Sequence, residues 1–248
     1  MDDMNREPDP SPRLRRREAL ALFGSLGTGA LVLGCGGEAD SATSTSATAT
    51  DTCILSPEVT EGPYWIDSTL TRRNITEGRP GLPLFVDATV VDARTCKPIA
   101  GADVEIWHCD AGGNYSGFDA GGGGGPGGGS GPATRTRYLR GHQKADAAGK
   151  LRFITIFPGW YPGRTPHIHL KVHAGGDVVH TGQLFMSERT TAAVYRQAPY
   201  SSHGQPDVSH SADNIYAQAG GSKSTLRLRR RGGNRRGYVG AITLGVAI

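Results

Sequence analysis

From residue 84 to residue 92 the chain reads Leu-Phe-Val-Asp-Ala-Thr-Val-Val-Asp, a run of strand formers that predicts a β-strand. Residues 93–101 carry turn chemistry, with Lys97-Pro98 and a closing Gly101. Residues 102–108 then read as a returning strand, with Val104, Ile106 and His108 at alternate positions, so the two runs are expected to form a hairpin. The same pattern predicts strands over 151–155, 167–173, 178–185, 225–229 and 238–247, and one short helix within 187–197. Short strands separated by Pro and Gly turns predict an all-β protein, a single β-sandwich domain over residues 53–248. No repeat of solenoid period interrupts the pattern.

Composition agrees with this architecture. With 248 residues, 37% of them hydrophobic, the chain can bury one core of ordinary size. Its 37 glycines and 15 prolines favour turns over long helices. A net charge of +4 is too mild to imply a nucleic-acid partner. The densest basic run, residues 227–236, reads as an exposed strand leading into a Gly-Gly-Asn hairpin turn, with Leu226 and Leu228 on its other face. Residues 121–132 are Gly with Pro and Ser; they read as a loop insertion with no core, and lack the Lys-Ser/Thr ending of a phosphate loop.

The N-terminus reads as a targeting segment. Arg13, Arg15, Arg16 and Arg17 precede an apolar stretch over 19–33, too short and glycine-broken to span a membrane. Arg16-Arg17-Glu18-Ala19-Leu20 resembles a twin-arginine signal, and Val32-Leu33-Gly34-Cys35 resembles a lipobox whose Cys35 takes the lipid. The expected organisation is a signal peptide over 1–34, then a flexible Ser/Thr/Ala-rich tether over 35–52. The expected location is extracytoplasmic, on a bacterial membrane, with membrane contact only through that anchor. An oxidising compartment permits a disulfide. Cys96 and Cys109 flank an extended strand and would lie about 20 Å apart in a hairpin, beyond bridging range. A bridge is therefore expected to use Cys53, with either partner open.

The chemistry concentrates between residues 155 and 169, which end in Pro158-Gly159-Trp160-Tyr161-Pro162-Gly163-Arg164-Thr165-Pro166-His167-Ile168-His169. On a strand, residues i and i+2 share a face about 7 Å apart, so His167 and His169 can bind one ion while Ile168 faces the other way. Tyr161 lies on the turn just before them. A phenol with a pKa near ~10 is deprotonated readily only by a strong Lewis acid. Two imidazoles with tyrosinate thus suit non-haem ferric iron, Fe(3+).

Four segments extend the pattern in order: Thr60-Glu61-Gly62-Pro63-Tyr64-Trp65; residues 102–117, ending Gly112-Gly113-Asn114-Tyr115-Ser116-Gly117; Arg140-Gly141-His142 through Asp146 with the run above; and Thr181-Gly182-Gln183-Leu184-Phe185. Together they resemble the intradiol ring-cleavage dioxygenases, most closely the protocatechuate 3,4-dioxygenase-like chains. The resemblance implies a β-sandwich of that family's type and an iron held by Tyr115, Tyr161, His167 and His169. It assigns catalytic roles to Tyr161, as the releasable ligand and base, to Arg164, which stabilises anionic charge on the ring, and to Gln183, which positions the reacting carbon. The implied reaction takes a catecholic small molecule and O2 to a muconate-type diacid, cutting between the two hydroxylated carbons. Two departures stand out: Ala145-Asp146 where the family has Thr-Asp, and the glycine tract beginning six residues after Tyr115. Residues 35–60 leave no room for the helical dimerisation domain of catechol 1,2-dioxygenases; homo-oligomerisation is left open.

Rival readings are weaker. A cupin needs a glutamate shortly after the His pair, where this chain has His173, and a zinc site does not need Tyr115 or Tyr161. His173 and His180 read as ordinary histidines, and Trp107 and Trp160 as core or pocket walls. His108 and Cys109, adjacent on a strand, face opposite ways and do not make a nucleophilic pair. The alternative from another class is a non-catalytic, surface-anchored β-sandwich binding module that keeps the fold.

Overall fold

A computed structural model describes residues 53, 55–118, 134–232 and 236–248. The expected signal peptide, the tether and the glycine insertion lie outside the described residues, as do Gly233 and Asn234 of the expected hairpin turn. Among the described residues eight strands form two four-stranded sheets. Strands β1 (Pro83–Asp92), β4 (Lys150–Ile156), β7 (Arg227–Arg230) and β8 (Tyr238–Val246) make one, ordered β4-β1-β8-β7. The other, ordered β3-β2-β5-β6, contains β2 (Asp103–Trp107), β3 (Arg140–Lys144), β5 (His167–Ala174) and β6 (Asp177–Phe185).

Alternation along the strands closes the two sheets on one core. Leu84, Val86, Ala88 and Val90 of β1 are buried with Val104 and Ile106 of β2, Phe153 of β4, and Ile168, Leu170 and Val172 of β5. Apolar rows that face each other across a core must belong to different sheets. This overturns the expected hairpin: β1 pairs with β4 and β8, β2 pairs with β3 and β5, and the intervening turn carries the chain between sheets. The expected pairing of the basic strand is present, β7 lying antiparallel to β8.

One strand and one α-helix escaped the sequence pattern. Strand β3 reads Arg-Gly-His-Gln-Lys, yet Arg140, Gly141 and His142 are buried, so polarity hid it. The helix α2 (Asn214–Gln218) is a single short turn capped by Asp213, whose side chain accepts from the Ile215 and Tyr216 amides. Helix α1 (Glu188–Val194) falls inside the expected span and starts at the Ser187 cap. Cys53 is bridged to Cys96 with Cα atoms 5.4 Å apart, and Cys109 is a buried free thiol. This resolves the partner that the sequence left open.

Candidate metal centre

Strand β5 opens on the His-x-His pair. His167 lies opposite Phe185, and His169 lies between Gln183 on β6 and Trp107 on β2. Ile168 points into the core, while both imidazoles share the opposite face with their Nε2 atoms 3.1 Å apart. The Trp107 ring stacks flat on His169, with centroids 4.9 Å apart. His167 donates from Nδ1 to the Thr165 carbonyl at 2.7 Å, which leaves its Nε2 as a lone pair.

Tyr115 arrives from the loop after β2. Asp110 shapes that loop, its carboxylate accepting from the amides of Gly112 and Asn114 while its own N–H donates to the Asn114 carbonyl. Arg79 pairs with the second carboxylate oxygen. Two glycines let this loop meet the turn that bears Tyr161. A Cβ on Gly113, at φ +87°, would lie 2.2 Å from the Trp160 carbonyl oxygen, and one on Gly159 would lie 2.0 Å from that of Asp110. The result brings the Tyr115 hydroxyl 3.1 Å from His169 Nε2, and that of Tyr161 3.3 Å from His167 Nε2.

Arg164 and Gln183 join the cluster. The Arg164 guanidinium donates from Nη1 to the Tyr161 oxygen at 3.4 Å and from Nη2 to Gln183 Oε1 at 2.6 Å. Gln183 in turn donates to the Thr60 carbonyl at 3.1 Å. All six side chains singled out in the sequence therefore meet at one place. Asp213, which sequence reading missed, completes the arrangement: it accepts from Arg164 Nε at 3.0 Å and from the Thr165 amide at 3.0 Å. An Asp at a helix start is visible in sequence, but its pairing with an arginine 49 residues away is not.

Burial governs the electrostatics. Desolvation holds both imidazoles well below the ordinary histidine range, with the neighbouring Arg164 adding to it, so both are neutral. It also pushes the Tyr115 and Tyr161 phenols upward, opposed by the Arg164 charge. His169 Nδ1 is buried without a hydrogen-bond partner. If its proton sits there, two imidazole lone pairs face each other; if it sits on Nε2, a buried acceptor is left unpaired. The two phenols can each donate to one Nε2, but the 3.1 Å approach of the two Nε2 atoms and the unpartnered His169 Nδ1 remain, and a cation shared by all four atoms relieves that approach better than protons do. Among the described residues no group of three or more His, Cys, Asp or Glu side chains is gathered for a metal, so the tyrosines are indispensable to the set.

His108 and Cys109 behave as expected from opposite faces. The His108 ring bonds the Cys109 carbonyl and Thr155 Oγ1, not the thiol, and burial pushes the thiol upward.

Two sheets over one core, with paired phenols and imidazoles at the start of β5, define a β protein whose chemistry is concentrated in one buried cluster. A family model described as Dioxygenase matches residues 54–191. A solved structure, the intradiol ring-cleavage dioxygenase from Tetranychus urticae, is 38% identical with a TM-score of 0.71, covering 79% of this chain and 95% of that one. The dioxygenase domain of a carbohydrate-binding fusion protein from Streptomyces sp. SirexAA-E is 28% identical with a TM-score of 0.57, covering 79% and 99%. Catechol 1,2-dioxygenase 1 of Acinetobacter lwoffii is 33% identical over 110 residues, 42% of this chain and 32% of that protein. The chain belongs to the family of intradiol ring-cleavage dioxygenases. It spans about a third of the length of that curated relative, the match taking in 32% of it.

Proposed function

We propose that the protein is a non-haem ferric dioxygenase that opens a catechol-type ring between its two hydroxylated carbons. The observation that carries this reading is the chain of four donor atoms, Tyr115 Oη, His169 Nε2, His167 Nε2 and Tyr161 Oη, each within 3.3 Å of the next. Those four residues would hold the metal. A ferric ion there would supply the Lewis acidity to ionise both phenols and to bind both oxygens of a catechol, which activates the ring towards O2.

The remaining work falls to the chain. Tyr161, whose oxygen faces Arg164, would as a phenolate be suited to take up the proton of the second catechol hydroxyl, becoming a neutral phenol. Arg164 is held in place by Asp213 and aims its other nitrogens at Tyr161 and Gln183, where negative charge develops on the bound ring. The buried rings of Tyr64 and Trp107 exclude water from the donors. Insertion of both oxygen atoms turns the two hydroxylated carbons into two carboxyl groups, so no external reductant is required. The likeness to protocatechuate dioxygenase chains and the name of the curated relative both favour a 1,2-dihydroxybenzene as substrate.

Iron-loaded protein is expected to be red-brown from tyrosinate charge transfer, with the band shifting on addition of catechol. O2 uptake across catechol, protocatechuate and hydroxyquinol would then rank the substrates. Tyr161→Phe and His167→Ala should each lose colour or turnover; wild-type activity in either would refute the assignment. Protein that stays colourless after iron loading would favour the non-catalytic binding module. We further propose export and lipid attachment at Cys35, on the lipobox-like sequence before it. Fatty-acid labelling that persists in Cys35→Ser would rule that out.

A further inference from the structure

Residues 60–65 belong to neither sheet, yet they touch four of the six side chains of the centre, Tyr115, Tyr161, His169 and Gln183. The Thr60 carbonyl accepts from Gln183. Gly62 passes so close to His169 that a Cβ there would lie 3.0 Å from the ring. The buried Tyr64 ring stacks on Tyr115 with centroids 4.2 Å apart and planes 14° from parallel, and meets Tyr161 edge-on at 5.6 Å. The segment has no strand pairing of its own, and besides Gln183 two further side chains of the sheet beneath hold it.

Lys171, two residues past His169 on β5, places Nζ 2.6 Å from Glu61 Oε2 and 3.5 Å over the Trp65 ring. Glu105, two residues before Trp107 on β2, accepts the Trp65 indole N–H at 3.1 Å. Glu105 is an expensive residue to keep there, because its side chain is only 4% exposed and burial raises its pKa. The imidazoles of His142 and His173 flank it at 3.6 and 3.9 Å, their Nε2 atoms making no hydrogen bond. The indole is thus the group that satisfies this carboxylate by a hydrogen bond. The Lys171 ammonium offsets the carboxylate charge, and the Trp65 indole fixes its position.

We propose that Glu105 is a positioning residue: through Trp65 it clasps residues 60–65 over the donor cluster and thereby fixes the Tyr64 ring against which the aromatic substrate packs. The structural half stands by itself; the effect on substrate rests on the ring-cleavage reading above. Glu105→Leu and Trp65→Phe each remove one partner of the bond, whereas Glu105→Gln keeps an acceptor for the indole.

Hydrogen–deuterium exchange of the iron-loaded protein tests the clasp directly. Peptides covering residues 56–71 should exchange at least tenfold faster in Glu105→Leu and Trp65→Phe, with β1 peptides unchanged and Glu105→Gln close to wild type. In steady-state assays the first two variants should raise KM for catechol about tenfold while kcat falls less than threefold, and Glu105→Gln should restore KM. Unchanged exchange in Trp65→Phe overturns the clasp whatever the activity, and it decides the matter even if Glu105→Leu does not fold. Glu105→Gln behaving like Glu105→Leu also overturns it. Wild-type protein without turnover but with the expected exchange pattern would defeat the enzymatic reading and leave the clasp intact.

Discussion

At the scale of single residues, the centre depends on buried polar groups whose partners are fixed by the fold. Asp213 shows this most clearly. It is 2% exposed, pairs with Arg164 Nε and caps α2 through Oδ1. Removing one partner of a buried ion pair typically costs about 3–5 kcal/mol, because the other charge is left uncompensated. Asp213→Ala is therefore expected to lower unfolding free energy by about that amount and to reduce kcat/KM by at least tenfold through loss of Arg164 orientation. Asp213→Asn keeps the helix cap and should fall between the two in denaturant titration and turnover. Full activity in Asp213→Ala would show that Arg164 needs no such support.

His108 gives the pH counterpart. Burial lowers its pKa from 6.5 to about 4, so the folded state binds its proton less readily than the unfolded chain does. Above pH 6.5 both states are neutral there and the stability is complete; as pH falls towards 4 the unfolded state gains the proton first, and stability is lost. The full difference is about 3 kcal/mol. Urea unfolding of wild type and His108→Gln between pH 7 and pH 4.5 isolates this residue from the other buried histidines. The variant should lose about 1 kcal/mol less per pH unit over that window; parallel curves would mean that His108 carries no such penalty.

At the scale of elements, what the sequence revealed depended on which face carried the signal. Strands β1, β5, β6 and β8 present regular apolar positions to the core and were legible as strands. Strand β3 was not, because its buried residues Arg140 and His142 face the polar side of their sheet, where burial follows from the covering segment rather than from side-chain type. The His-x-His pair and Tyr161 were legible because they are local to one turn and strand, whereas Tyr115 stood out only through family likeness. Asp213, Glu105 and Trp65 act across chain separations of 40 residues or more, and a sequence does not display such pairings. The expected hairpin failed for a related reason: adjacency along the chain favours pairing, but facing apolar rows required different sheets.

The Cys53–Cys96 bridge ties the first described residue to the turn between sheets, with a separation of 43 residues. Loop-closure entropy for a loop of that length amounts to about 4 kcal/mol at most. Cys96→Ser should therefore lower the denaturant midpoint and steepen the transition, as the unfolded chain expands. A reductant should have the same effect on wild type and none on the variant, and an identical midpoint for both proteins would remove the bridge from the stability of the fold.

For the molecule as a whole, the donors tie two loops to the strand that lies beside them. Tyr115 sits on the loop after β2, Tyr161 on the turn before β5, and the histidines on β5 itself, so an ion held by all four adds a direct link to the β2–β5 pairing and the close glycine contacts between these segments. The unfolded chain has no such site, which means that binding and folding are coupled. At a metal concentration a thousandfold above Kd the gain is about 4 kcal/mol, which for a domain of this size raises the melting temperature by roughly 10 °C. Calorimetry of iron-loaded and chelator-stripped protein at matched pH should show a shift of that order, reversed on reloading with ferric iron. His167→Ala should melt at one temperature with or without iron, because the alanine no longer supplies a donor and its loss leaves Tyr161 without the neighbour that anchors the set. A loaded wild-type protein, verified by metal analysis, that melts where the stripped protein does would mean the iron is bound elsewhere than at these four side chains.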